Sequence, residues 1–343
     1  MRVLVVGLGS IGRRHLSNLR RLMPEAHITV WRHARSAGAE QASAEADRIV
    51  YGLDEALSPR PDMAILASPA SCHVRTAAAL ASAGVHMLIE KPLSDSLDGV
   101  DALLDDCRRQ RIVLMVGYHL RFSPSLTCLH HAIADGVVGR VLSVRSEVGQ
   151  YLPDWRPGTD YRQGVSARRD LGGGVVLELS HELDYVRWLG GEIRSVSAET
   201  GQLGGLDIDV EDVAEILLRF THGAIGSVHV DMLQRSATRT CKVIGAEGTL
   251  EWDGLDGRVR LFSAHDGRWT ELCGPSDAGV NESDAGVNDM YVAELAHFIR
   301  CAVEGGDVPV DGVAGRRVLE IALAAKRSAE CGQVIWVGGE EGK

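Results

Sequence analysis

Residues 3–16 read VLVVGLGSIGRRHL: an apolar run of strand character, then Gly7, Gly9 and Gly12, then a helical pattern. No other stretch restricts the backbone as much. Gly7 permits a tight turn, Gly12 lets a helix lie close against a strand, and Gly9 lets the main chain approach a ligand. The first helical N–H groups, at Ser10, Ile11 and Gly12, then point at whatever binds, and a pyrophosphate suits the positive end of a helix. The context of strand, turn and helix predicts a nicotinamide or flavin dinucleotide site in a parallel α/β domain.

The rest of residues 1–118 agrees with that start. Short apolar runs at Arg2–Val6, Ile28–Trp31, Ile49–Tyr51, Met63–Ala67, His86–Glu90 and Ile112–Gly117 alternate with helical patterns at Ile11–Arg21, His73–Ala83 and Ser96–Arg109. Such runs read as a doubly wound parallel sheet covered on both faces. After Tyr118 the rhythm changes. One helix, Ser125–Ala134, precedes longer alternating strands at Val141–Gln150, Ile193–Thr200, Val213–Phe220, Ala224–Met232 and Arg239–Ile244. Helices at Met290–Val303 and Val313–Ala329 and a strand at Val334–Val337 close the chain. Residues 119–343 therefore read as an α+β domain with an open, mainly antiparallel sheet. The hexapeptide SDAGVN occurs at 276–281 and again at 283–288, which reads as a duplicated loop.

At 343 residues the chain is long enough for two cores. Lys plus Arg number 36 against 47 for Asp plus Glu, a formal charge of -11 that disfavours nucleic acid and anionic membranes as partners. The seven cysteines are scattered without a C-x-x-C pair, so neither a disulfide framework nor a metal knuckle is expected. Glycines interrupt the first apolar run too early for a signal-peptide core, and no segment approaches about 20 uninterrupted apolar residues. A reducing cytoplasm is the expected setting.

The end of the second strand bears on the cofactor. An Asp or Glu there would bond the ribose 2′-hydroxyl of NAD, but the sequence offers Arg32, His33 and Arg35. Guanidinium groups suit a 2′-phosphate, so NADP is preferred and NAD is possible. Ser68, Pro69 and His73 follow the fourth strand, and Glu90 and Lys91 end the fifth, where ligands of doubly wound sheets bind. These too are candidate cofactor contacts. Pro92 biases Lys91 toward an extended backbone and helps to aim its side chain.

A second feature is GGGVVLELSHELDYVRWLGG, residues 172–191. Read as one helix, it gathers Val176, Leu179, Leu183 and Val186 on one face, and Glu178, His181, Tyr185 and Trp188 on another. GLGSIG, ILASPASCHVRTAAALASAGVHMLIEKPL, GYHLRFSP and this glycine-led helix together resemble the Gfo/Idh/MocA oxidoreductases, named for glucose-fructose oxidoreductase and inositol dehydrogenase. The resemblance spans nearly the whole chain, including YVAELAHFIRCAVEGG and RRVLEIALAAKRSAECGQVIWV. It implies a Rossmann domain, an open-sheet domain that often forms an oligomer interface, a homodimer or homotetramer, and a site between the domains. Lys91 matches the lysine of the family's E-K-P signature, which contacts the reacting hydroxyl. His181 matches the histidine that accepts the proton. The family more often shows D-x-x-x-H, whereas Glu178 and His181 are three apart, with Asp184 a further three on. Glu178 is the favoured assisting carboxylate. GQYLPDWRPGTDYR, residues 149–162, looks like a subgroup associated with surface-sugar biosynthesis.

The expected reaction is hydride transfer between a nicotinamide and a secondary alcohol or ketone of a sugar, nucleotide sugar, sugar phosphate or cyclitol. Histidine, with an ordinary pKa near ~6.5, can take the proton, while Lys91 stabilises the developing oxyanion. Tyr118, His119, Arg121, Trp155, Arg156, Tyr161, Arg162 and Asp184 are candidate substrate contacts, the arginines as a clamp for an anionic group and the rings as stacking surfaces. No metal is expected: His130 and His131 lack partners at ligand spacing. Two other activities fit the same residues, a redox-assisted glycosidase and a dinucleotide-binding protein without chemistry.

Overall fold

The computed structural model describes residues 1–32, 45–274 and 285–338. The chain divides into two compact units, Met1–Tyr118 with Tyr291–Arg316, and His119–Met290 with Arg317–Lys343. A segment of the last third thus returns to the first unit, which a simple division at residue 118 does not anticipate.

The first unit holds a six-stranded sheet in the order β3-β2-β1-β4-β5-β6. Its strands are β1 (Arg2–Val6), β2 (His27–Trp31), β3 (Arg48–Val50), β4 (Met63–Leu66), β5 (His86–Glu90) and β6 (Leu114–Gly117), and every pairing is parallel. Met63–Leu66 is buried along its whole length, as a strand covered on both faces must be. Each such Val, Leu or Ile contributes about 1.5–3 kcal/mol on leaving water. Helices α1 (Ser10–Leu22), α2 (Leu53–Ala56), α3 (His73–Ser82) and α4 (Val100–Gln110) connect the strands. Strand order reverses beside β1, and the carboxyl ends of β1, β4 and β5 deliver Gly7, Ala67 and Lys91 to one edge. Residues 291–316 are tied to this unit by the Val116 N–H, which donates to Val310 O at 2.9 Å, and by an Arg316–Asp101 ion pair.

The second unit holds a nine-stranded sheet, β14-β13-β12-β11-β7-β10-β9-β8-β15, in which the β7–β10 pair is parallel and the other pairs are antiparallel. Five strands lie where alternation predicts: β7 (Val141–Gly149), β8 (Ile193–Gly201), β9 (Val213–Phe220), β10 (Ile225–Asp231) and β11 (Thr238–Gly245). In β9, Ala214, Ile216, Leu218 and Phe220 are buried while the residues between them face outward. Helices α5 (Pro124–Ala134), α6 (Val175–Glu178) and α7 (His181–Gly190) belong to this unit, and α7 packs on β7 and β10. Three further strands, β12 (Gly248–Asp253), β13 (Val259–Ser263) and β14 (Arg268–Cys273), extend the sheet. The chain ends in α8 (Ala285–Glu304), α9 (Gly312–Cys331) and β15 (Ile335–Trp336).

Three expectations are corrected. Residues 172–191 form two helices, because Leu179 leaves helical geometry at ψ 30°. Cys128 on α5 and Cys273 on β14 form a disulfide, although 145 residues separate them and no spacing signals the pair. The second SDAGVN copy is helical from Ala285 rather than loop; residues 275–284 lie outside the described residues. Among the described residues, no helix is long and apolar enough to cross a membrane.

Candidate functional site

In the first unit the glycine turn has the geometry its spacing predicts. Gly7 adopts φ 89°, and a Cβ there would lie 2.7 Å from Ala67 O. A Cβ on Gly12 would meet Gly7 O at 2.3 Å, so helix and turn are pressed together. Gly9 is different: nothing lies within 4 Å of its Cβ position. It is the N-cap of α1, no side chain caps the helix, and the first turn holds no acid. The first N–H groups of the helix, at Ser10 and Ile11, therefore have no capping side chain and no first-turn carboxylate to repel a phosphate, and there is room at Gly9 for a ligand to approach the backbone. This cradle fits a dinucleotide pyrophosphate.

Around that edge, Ser68 is buried at the end of β4 and its hydroxyl has no hydrogen-bond partner among the described residues. Pro69 precedes a short turn leading into α3, whose first residue is His73. The His73 ring lies with Nε2 2.8 Å from Ser68 O and Nδ1 3.0 Å from Pro92 O. It links the ends of β4 and β5. Burial holds this imidazole below its ordinary pKa, and a neutral ring donates to one of the two carbonyls at a time. Lys91 is half-buried, and the Lys91–Pro92 peptide is cis. Glu90 is buried, with Oε1 2.7 Å from His15 Nε2. Arg32 follows β2, its N–H donating to Val50 O at 3.0 Å; His33 and Arg35 lie outside the described residues. Tyr118, at the end of this unit, is 1% exposed.

In the second unit the three glycines before α6 answer a packing demand. A Cβ on Gly173 would lie 2.2 Å from Val165 O, and one on Gly174, at φ 105°, would lie 2.4 Å from Glu211 Oε1. His181 opens α7, 4% exposed, with its ring edge-on to the buried His119 at 4.6 Å between centroids. Two imidazoles thus meet at the start of one helix. Glu178 ends α6, and its Oε2 accepts the Ser166 hydroxyl at 3.1 Å. The break at Leu179 removes the continuous helical face on which Glu178, His181, Tyr185 and Trp188 would align. Tyr185 turns into the core and bonds Ser146 of β7.

The expected anion clamp is largely engaged by the protein itself. Arg121 makes a bidentate pair with Asp184, at 2.7 and 2.9 Å, with side chains 8% and 1% exposed. Its guanidinium also lies 4.4 Å over the Trp188 ring, and Trp188 stacks on His130 at 4.0 Å. Arg121 and Asp184 therefore read as a buried brace rather than as ligand contacts. Arg162 is likewise held by Asp160, at 2.8 and 2.9 Å, and faces Asp207 at 3.6 Å. The Tyr161 hydroxyl accepts the Asp207 N–H at 3.2 Å, and Trp155 Nε1 donates to Gln150 O at 2.9 Å. Arg156 is exposed. Asp184 takes Arg121 from 63 residues further along the chain, where spacing does not signal it, whereas Asp160 takes Arg162 from only two residues away.

Two buried groups at the first unit's edge escape sequence reasoning, His15 and Glu294. An imidazole on the apolar side of α1 was the available signal for the first; nothing in the sequence links Glu294 to it.

Comparison with known proteins is consistent with both units. Residues 1–118 match the Gfo/Idh/MocA oxidoreductase family's NAD-binding Rossmann fold, and residues 127–251 match its C-terminal domain. The chain is 27% identical to myo-inositol 2-dehydrogenase of Thermotoga maritima over 96% of both chains. It is 25% identical to UDP-N-acetylglucosamine 3-dehydrogenase of Acidithiobacillus ferrooxidans, over 96% of this chain and 97% of that one. A levoglucosan dehydrogenase in complex with NADH superposes with a TM-score of 0.86 at 23% identity, covering 98% of this chain and 99% of the other. With both of its characteristic domains matched in order, the chain belongs to the Gfo/Idh/MocA family of oxidoreductases.

Proposed function

We propose that this protein is a nicotinamide-dependent dehydrogenase that transfers hydride between the cofactor and a CH–OH carbon of a sugar, nucleotide sugar, sugar phosphate or cyclitol. The observation that carries this reading is the open Gly9 turn, on the same sheet edge as the strand end that bears Lys91. Relatives named as inositol and nucleotide-sugar dehydrogenases support the substrate class.

The nicotinamide, when bound, supplies the hydride acceptor or donor. The Ser10 and Ile11 N–H groups would hold the pyrophosphate, and Gly9 leaves room for its approach. Lys91 hydrogen-bonds the reacting oxygen and stabilises its charge as the proton leaves. His181 takes that proton, with His119 against its ring and Glu178 as the assisting carboxylate. Tyr118, Trp155, Tyr161 and the exposed Arg156 are the remaining proposed substrate contacts.

For the cofactor, NAD(H) is the type that the family binds, and the finer preference for NADP rests on Arg32, His33 and Arg35 with no acid at the end of β2. We place the reaction in the cytoplasm, where nicotinamide pools are kept, and assign a homo-oligomer, supported by the exposed Leu217 and Ile225 on the open sheet face.

The test is nicotinamide absorbance during incubation with NADP and then NAD and a pool of inositols, free sugars, sugar phosphates and nucleotide sugars. Reduction by the wild type that is lost in Lys91→Ala is the expected result. Equal reduction by both proteins overturns the role of Lys91, and tighter binding of NADH than of NADPH by fluorescence titration overturns the NADP preference.

A further inference from the structure

Three buried titratable side chains in the first unit have no part in the chemistry above. His15 faces inward from α1, Glu90 ends β5 immediately before Lys91, and Glu294 lies on α8, three residues after Tyr291. Their exposures are 0%, 6% and 0%. Besides the His15–Glu90 contact, one polar atom of each lies within 4.8 Å of the other two. Glu90 Oε2 accepts the Lys91 N–H at 3.3 Å, and Gly117 on β6 leaves it room, since a Cβ there would come within 3.2 Å of that oxygen. Neither carboxyl oxygen of Glu294 has a hydrogen-bond partner among the described residues.

The surrounding charges do not neutralise Glu294. Tyr291 sets its ring edge-on to His15 at 5.9 Å, and the Arg14 guanidinium is stacked over that tyrosine at 4.7 Å. His73 is held by two carbonyls, and no ion pair or hydrogen-bond donor reaches Glu294 among the described residues. An ionised carboxylate buried beside a second one, without a donor, is strongly disfavoured; a proton on one of them removes the cost.

We infer that Glu294 is held as an uncharged carboxylic acid against the His15–Glu90 pair, and that this trio positions the Glu90–Lys91–Pro92 turn. Burial and the nearby Glu90 charge push the Glu294 carboxyl well above the ordinary range. The consequence for catalysis rests on the role proposed for Lys91. The protonation state and the positioning do not.

In the unfolded chain Glu294 ionises near the ordinary glutamate value of ~4.3, whereas the folded protein keeps its proton to higher pH. The stability tied to that proton is complete below the unfolded value and is lost as pH rises toward the folded one. Glutamine carries no such penalty. Melting of wild type and Glu294→Gln, compared from about pH 5 to about pH 8, should therefore favour Gln increasingly as pH rises. A difference that is flat or that falls with pH overturns the neutral acid. So would a loss of wild-type stability in EDTA that is absent from Glu294→Gln, which would assign the trio to a divalent cation.

Positioning is read by hydrogen exchange. The amides of Glu90, Lys91 and Leu93 should exchange about fivefold faster or more in Glu294→Ala, with Gln restoring the wild-type rate. Unchanged exchange in Ala, or no rescue by Gln, overturns it. Where wild type turns substrate over, kcat should fall with the same variant. A wild type without turnover counts against the dehydrogenase reading and leaves both other readouts intact.

Discussion

The glycine turn of the first unit and the glycine-led helix of the second make an instructive pair. Both begin with glycines that close contacts require: Gly12 against Gly7 O, and Gly173 against Val165 O. They differ in what the backbone then offers. After Gly9, the uncapped backbone at the start of the helix is itself what the turn offers, with room at Gly9 for a ligand to approach it. After Gly174, function depends on side chains, and neighbours from elsewhere in the chain have claimed several of them. A site made of backbone can be read from spacing alone; one made of side chains needs its partners to be known.

The sharpest way to break this comparison is to remove the groups assigned to chemistry. Lys91→Ala should lower kcat by about 10²–10³, the cost of deleting one donor to a developing oxyanion. His181→Ala should cost about 10²–10⁴, the range for general acid–base groups. Steady-state kinetics on the first substrate found in the pool checks both. If His181→Ala keeps wild-type kcat, the second unit's helix is a packing element, and its resemblance to a catalytic segment is of sequence only.

A second contrast separates buried from exposed charge. The Arg121–Asp184 pair is almost wholly buried, so Arg121→Ala strands a carboxylate and should destabilise the protein by about 3–5 kcal/mol. Arg162 is half-exposed, and its loss should leave the melting temperature unchanged. Thermal melting of both variants is the measurement. A stable Arg121→Ala protein with a raised KM for an anionic substrate would return that guanidinium to ligand binding.

The same pairings show why part of the molecule was legible and part was not. Met63–Leu66 is apolar throughout and buried throughout, so composition alone marks it as an inner strand. Ala214, Ile216, Leu218 and Phe220 alternate cleanly and mark a strand with one face covered. Arg268–Leu272, by contrast, is exposed at every residue, and an edge strand with no buried face leaves no alternation to detect. The Glu178–His181 spacing suggested one helical face, but a break at Leu179 is a matter of local packing. Asp207 reaches Arg162 from 45 residues away along the sequence, and only the fold brings the two together.

Within the first turn, glycine substitutions sharpen the contrast at smaller scale. Gly12→Ala puts a methyl against the Gly7 carbonyl oxygen and should cost about 1–3 kcal/mol through forced backbone movement. Gly9→Ala meets nothing, so folding should be untouched, while NADH affinity falls about tenfold, or ~1.4 kcal/mol. Melting and fluorescence titration on the same two samples separate packing from binding. Equal loss of stability in both variants would deny Gly9 its special place.

The smallest expected effect lies on the open face of the second unit's sheet. His229 stands between Glu215 Oε1, at 2.6 Å, and Asp231 Oδ2, at 3.0 Å. Asp231, then Glu215, raise its pKa to about 9 against the opposing effect of burial. The stabilisation from this pairing is complete below the unfolded value near ~6.5 and is lost as pH climbs through the folded one. Asp231, whose pKa is lowered, behaves in the opposite sense, losing its share as pH falls. Between about pH 7 and about pH 10 the His229 effect is therefore the one exposed, and the melting advantage of wild type over His229→Gln should shrink across that interval. An advantage that stays constant would mean that the imidazole is neutral on this face, and that its two carboxylates, unlike Asp184 beside Arg121, do not act as its counter-ions.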